Sequence, residues 1–423
     1  MRILPAIATL AAMATAAPAM AASLYGCRGL ADAPFMASVE GREGVFFRVE
    51  PDLMNAHPMT PETVEDLARL SRALAAKGTA LIFAPVPTKA LALPRFLPPE
   101  ASDFGFDHSL ATTDFLDAMS RLQAAGVRAV DLRTGMVRAE GPLPYFRTDP
   151  RLSAPGARIA AQAIGAAVAQ VPGVSNLAQN RFETRAIGTA SVPSHARLVR
   201  QRHCEEPLPE AETATFDTER IYTADGPQGV IALVGSEHSD TPEANFAGFL
   251  AEATGIDVIQ YSVPGGGAFA AISTYLTSAE FQRARPSMLV WELPLADAPG
   301  LYDDQRMEEL IAAAKGPCDM TLDIDRDEAA PLALTADLSA LDPEAAYTLF
   351  LDSGGAPAKR AEFTYHSADD QTRSREIQRH PGQLPTGRFF MPMTSLWSDG
   401  AETVTITLDV PMGDDAEVRA CLR

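Results

Sequence analysis

The stretch "VIALVGSEHSD", residues 230–240, decides how this chain reads. An apolar run stops at Gly235, and small and polar residues follow. Next comes the amphipathic "NFAGFL". That order predicts a strand, a tight turn and a helix, the arrangement on which many α/β hydrolytic enzymes mount a nucleophilic serine. The turn offers Ser236, Glu237, His238 and Ser239. The question is whether it still carries a nucleophile.

Outward from the turn, helix and strand patterns alternate from residue 60 to about 316. Thr60-Pro61 reads as a helix cap with proline in the first turn, and "VEDLARLSRALAAKG" continues at helical spacing. "TALIFAPVP", "VRAVDL", "GVIALVG", "IDVIQYSV" and "SMLVWELP" read as strands, with amphipathic helices between them. Such alternation predicts a mostly parallel sheet flanked by helices, with ligands beyond the carboxyl ends of the strands. After "IAAAKGPCD" the character changes. Seven short runs, from "MTLDID" to "EVRACLR", are separated by Gly, Pro, Asp and Ser. They predict an all-β sandwich.

The 423 residues suit two domains, and 46% apolar content supports large cores. A formal charge of −20 argues against nucleic acid as a partner. Residues 1–21, "MRILPAIATLAAMATAAPAMA", read as a cleavable secretory signal peptide, and no later segment reaches the length of a membrane span. The expectation is an exported protein with domains at 22–316 and 317–423. Four cysteines allow three disulfide pairings. Two precede the expected domain boundary and two follow it, so Cys27–Cys204 and Cys318–Cys421 are expected. A zinc site is the weaker reading, because no two cysteines are close in sequence.

The chain resembles the periplasmic alginate O-acetylation proteins of the AlgX/AlgJ type, which carry an SGNH-hydrolase-like domain. It is closer to AlgX because of its C-terminal β-sandwich, similar to a carbohydrate-binding module. "VEGREGVFFR", "IFAPVPTKAL", "YFRTDPRLSAPGA", "LVGSEHSD" and "WELPLAD" carry the resemblance by their order and spacing. The cysteine placement fits as well. The resemblance implies a periplasmic protein of alginate-like exopolysaccharide biosynthesis, acting in polymer binding, O-acetylation or export. Its implied partners are the anionic polymer and other acetylation and secretion proteins, and no cofactor is implied.

Residue by residue, the family's Asp falls on Asp149, its His on Arg151, its Trp on Leu152 and its nucleophilic Ser on Glu237. A guanidinium stays protonated and cannot take a proton from a hydroxyl, and a glutamate forms no serine-type acyl ester. On residues alone, Asp149 and Arg151 read as a pair ordering a loop. Arg151 and Glu237 are also expected to meet across the pocket. The neighbouring Ser236, Ser239 or Glu237 itself would serve a rearranged transferase or esterase. A metal site from Glu237, His238 and Asp240 is the weaker reading, because their spacing matches no helix-borne ligand motif. Gly265, Gly266 and Gly267 are the oxyanion-hole candidates, because glycines let backbone N–H groups approach a ligand. In the sandwich, Arg373, Arg375, Arg379, Arg388 and Trp397 are candidates for binding an anionic polymer. Three readings therefore stand: a degenerate polymer-binding protein, a rearranged enzyme, and a structural subunit of an envelope secretion complex that binds no polymer.

Overall fold

The computed structural model describes residues 23–316, 318–394, 396–397 and 400–422. The expected signal peptide lies outside the described residues.

Thr60 caps the Pro61–Ala75 helix, its side chain accepting from the Thr63 N–H. This helix leads into the Ala80–Val86 strand, and the same alternation builds a five-stranded sheet. Its order is Arg128–Ala129, Ala80–Val86, Met288–Pro294, Val230–Gly235 and Asp257–Ser262, with every pairing parallel. The three inner strands are buried nearly throughout, as their unbroken apolar runs require. The edge strand Asp257–Ser262 is half-exposed. The predicted helix over "FAAISTYLTSAEFQRA" is two helices, Ala270–Thr277 and Ala279–Arg283. They divide at Ser278, whose hydroxyl accepts from the Phe281 N–H and so caps a new start.

One element has no counterpart in the sequence reading. Arg181–Val192 and Ala211–Tyr222 form a long antiparallel ribbon. Most of its residues are at least partly exposed, so neither face carries the apolar alternation that marks a half-buried strand.

The C-terminal region is a sandwich of two antiparallel sheets, one of four strands and one of five. Each predicted run contributes strand residues. "QTRSREIQ", read as a basic cluster, adds the edge strand Thr372–Gln378 beside Arg360–His366. Both expected disulfides, Cys27–Cys204 and Cys318–Cys421, are formed. The two layers of the molecule share apolar contacts. Phe350 and Phe390, from the four-stranded sheet, join the main core cluster.

Candidate functional site

The turn after Val230–Gly235 lies at the carboxyl end of the sheet, next to the ends of the 288–294 and 257–262 strands. Glycine is required at 235: a Cβ there would come within 2.3 Å of Glu292 Oε2 and 2.4 Å of Ser239 Oγ. Those two groups hold the turn. Glu292 accepts from the Ser236 N–H at 2.9 Å, from Ser236 Oγ at 2.8 Å and from Ser239 Oγ at 2.8 Å. Burial pushes the Glu292 carboxyl up, although His238 and these bonds oppose the rise. Ser239 is 2% exposed, and its hydroxyl also meets Ser262 Oγ at 3.0 Å. The hydroxyls of Ser236 and Ser239, expected as candidates for a rearranged site, are thus enclosed in the turn and bonded to Glu292.

Glu237 points elsewhere. It is half-buried, and its Oε2 accepts from the Gly265 N–H at 3.2 Å. Gly265 has φ +68° and Gly267 φ +63°, a left-handed conformation that suits glycine. The expected glycine loop and Glu237 thus come together. Burial would raise the Glu237 carboxyl. The His238 imidazole, the Glu237 and Gly265 N–H groups and the Arg48 guanidinium outweigh it and hold the carboxyl below its ordinary range. His238 Nδ1 accepts from the Leu152 N–H at 3.3 Å, and its ring meets Tyr145 edge to face.

Asp149 and Arg151 form a closed local pair. Arg151 donates from Nε to Oδ1 at 2.8 Å, from Nη2 to Oδ2 at 3.0 Å and from its backbone N–H to Oδ1 at 2.9 Å. Nη2 also reaches the Pro193 carbonyl at 2.6 Å. The expected Arg151–Glu237 ion pair is not formed, because a carboxylate two residues away satisfies the fork of the guanidinium at lower entropic cost. Arg151 acts on Glu237 only through its field. Burial favours a protonated Asp149, but the bonds from Arg151 and Ser194 hold its carboxyl below the usual range.

Two buried cations that the sequence reading did not single out support this loop. Lys89 donates from Nζ to the carbonyls of Phe146 at 2.6 Å, Arg147 at 2.9 Å and Asp149 at 3.2 Å. Burial, with Arg200 nearby, pushes the ammonium well below its ordinary value. Arg200 donates to the Thr148 carbonyl at 2.8 Å and lies over the Phe46 ring, and burial pushes it down to about 10. The available signal was a lone charge inside an apolar run: Lys89 in "PVPTKALAL" and Glu292 in "MLVWELP". Arg48 and Asp52 form a further pair beside the site. Among the described residues, no His, Cys, Asp and Glu group is arranged to hold a metal ion.

The basic cluster of the sandwich is divided. Arg373 lies over the Trp397 ring at 4.9 Å, and Arg375 donates to Thr394 Oγ1 at 3.0 Å. Arg379 departs from the expectation. It is 7% exposed and forms a bidentate pair with Glu309, at 2.6 and 2.5 Å, on the Asp304–Lys315 helix. Arg388 is on the other sheet, bonded to Asp352 at 2.8 Å. The four arginines therefore do not form one cradle. A cleft of about 160 Å³ lies between the regions, lined among others by Gly266, Phe269, Arg306, Glu376 and His380.

A parallel sheet with a nucleophile-type turn, a glycine loop and an Asp-x-Arg loop at its carboxyl end defines an SGNH-hydrolase-like protein. The family model described as "SGNH hydrolase-like domain, acetyltransferase AlgX" matches residues 39–295, and the chain belongs to this family. It is 30% identical over 265 residues to the alginate biosynthesis protein AlgX of Pseudomonas aeruginosa, covering 61% of this chain and 56% of that one. It is 29% identical over 308 residues to the probable alginate O-acetylase AlgJ of the same species, covering 65% and 76%. The match thus spans little more than half the length of that AlgX relative. The structure of Pseudomonas aeruginosa AlgX superposes with a TM-score of 0.76 at 24% identity, over 91% of this chain and 94% of that one. The O-acetyltransferase domain of Pseudomonas putida AlgJ gives 0.52 at 27% identity, over 65% and 98%. Among the described residues, no helix is long and apolar enough to cross a membrane.

Proposed function

We propose that this is a periplasmic protein of alginate-like exopolysaccharide biosynthesis that binds polymer and does not itself carry an acetyl group. The relatives named for alginate biosynthesis and O-acetylation support the setting. The observation that carries the inert reading is Glu237 at the nucleophile position, bonded to the Gly265 N–H, with Arg151 locked on Asp149. Acyl transfer of this kind needs a hydroxyl, a base that can accept its proton and a group orienting that base. Here the hydroxyls are enclosed, the base position holds a guanidinium, and the orienting carboxylate is spent on it.

The test is hydrolysis of a small acetyl ester by the purified protein. The expected result is no turnover above background in the parent. Neither Glu237→Ser nor Arg151→His should restore it alone, because nucleophile and base act as a unit. Turnover by the parent, abolished by Glu237→Ala or Ser239→Ala, would establish a rearranged enzyme instead.

The polymer surface we propose is Arg373, Arg375 and Trp397 on the 317–423 sandwich. A guanidinium over an indole, with a second guanidinium two residues along the same strand, offers charge and a ring to a uronate chain. The other components of acetylation and secretion would be its protein partners. Cleavage after residue 21 would release the mature chain, and we place the domain boundary at 316/317. Polyuronate binding that weakens steeply with salt supports the surface. Absence of binding at low salt leaves the structural-subunit reading.

A further inference from the structure

We propose that Glu237 is a built-in ligand: its carboxylate fills a small-anion slot closed by the Gly265 N–H, and acetate takes that slot when the side chain is cut back to Cβ. The inference rests on the reading that the pocket does not acylate, and it names the ligand class of that same pocket.

The groups that act on the Glu237 carboxylate are held in place without it. Arg48, whose field acts on the carboxylate, is fixed by Asp52 through Nε, Nη2 and its own backbone N–H, at 3.2, 3.0 and 2.8 Å. Arg151 is fixed by Asp149. The glycine loop is tied by the Val263 N–H to the Gly235 carbonyl at 3.0 Å and by the Gly266 N–H to the Val263 carbonyl at 3.1 Å. The turn beneath is held by Glu292. Removing the Glu237 side chain therefore takes away an occupant and leaves its supports in place. A preorganised N–H donor binds an anion with little further ordering cost, with Arg48 and Arg151 favouring the negative charge and Asp240 and Asp297 opposing it.

The chemistry of the occupant follows from what is removed. Beyond Cβ, glutamate is –CH2–COO⁻, which is acetate less one hydrogen. Glu237→Ala thus opens a space of acetate's size and charge beside an N–H donor. In the intact protein the tethered carboxylate holds that place at a very high effective concentration, so free carboxylates are excluded.

The test is thermal denaturation of Glu237→Ala, Glu237→Ser, Glu237→Gln and the parent across sodium acetate. Ionic strength is matched with chloride, and acetamide is the neutral probe of the same shape. For Glu237→Ala and Glu237→Ser, the melting temperature should rise and saturate with acetate. Half-saturation should fall at least about tenfold below any effect on the parent or Glu237→Gln, whose slots remain filled. Acetamide should do nothing. The slot is overturned if both cut-back variants respond to acetate no more than the parent does, or respond equally to acetamide. Glu237→Ser places the family's own residue type at this position, so it covers the case in which the alanine variant does not fold. Acetyl-ester turnover by the parent would overturn the inert reading. Failure of acetate binding with an inert parent would overturn the slot alone.

Discussion

Two arginine–carboxylate pairs of the same bidentate chemistry do different jobs. Arg151 and Asp149 are two residues apart, and their pair braces a loop, with the guanidinium partly exposed and the carboxylate buried. Arg379 and Glu309 are 70 residues apart, and their pair joins the sandwich to the Asp304–Lys315 helix in a largely buried interface beside the cleft. The local pair gives up little chain entropy and leaves its guanidinium partly open to solvent. The distant pair exists only because both regions are already folded and packed, and its charges are removed from water together. The difference is one of dependence: losing Glu309 strands a buried guanidinium, whereas losing the Arg151 side chain leaves a buried Asp149 that the backbone N–H of residue 151 and Ser194 still bond.

The largest effect should therefore come from the interface. Glu309→Ala leaves Arg379 buried against the Phe389 ring with its counter-ion gone, and should cost about 3–5 kcal/mol. Glu309→Leu with Arg379→Met should recover most of that. Urea unfolding measures both, and a loss below about 1 kcal/mol for the single variant would place the two pairs in one class.

Acid separates local from distant burial next. His57 is buried with both ring nitrogens unpartnered, and burial pushes it from 6.5 down to about 4 against the pull of Asp114 and Asp52. Between those values the unfolded chain binds the extra proton, so stability falls as pH drops through this window. The loss is about 3 kcal/mol by pH 4. Asp149 behaves oppositely in position: its folded carboxyl is depressed, so its contribution is present above its ordinary 3.8 and is lost only as pH falls through the lower folded value. Stability curves of the parent and His57→Phe should diverge between pH 6.5 and 4. Parallel curves there would remove His57 from the account.

Arg151→Ala should cost less than the interface variant, about 1–2 kcal/mol, because Ser194 still bonds Asp149. Thermal melts test this, and a loss equal to that of Glu309→Ala would erase the contrast. Last, Arg373→Ala with Arg375→Ala should change stability by no more than about 0.5 kcal/mol, as surface substitutions do. It should abolish polyuronate binding at low salt. Retained binding, measured by affinity electrophoresis, would remove the polymer surface proposed for the sandwich.

The strands of the parallel sheet were legible because their neighbours in sequence set them. "LIFAPV" and "VIALVG" are buried on both faces, and a continuous apolar run states that directly. The Gly235 turn and the glycine loop were legible because a tight approach needs glycine. The 181–222 ribbon was not, because its mixed, mostly exposed faces carry no periodic signal. The role of Arg379 was not legible either. In "QTRSREIQRH" it looks like its exposed neighbours, and only the packing of the helix bearing Glu309 distinguishes it.

By itself the sequence determined the alternation that makes the sheet, the change to short strands toward the C-terminus, and the presence of Glu237 in the turn and Arg151 beside Asp149. All of these are statements about which groups are present and how apolar residues repeat. The tertiary structure alone decided which charges meet. It turned Ser236 and Ser239 onto Glu292, set Lys89 under the Asp149 loop, aimed Glu237 at Gly265 and sent Arg379 into the interface. The physical reason is that burying a polar group is costly unless a partner is in place, and that partner can come from anywhere in the chain.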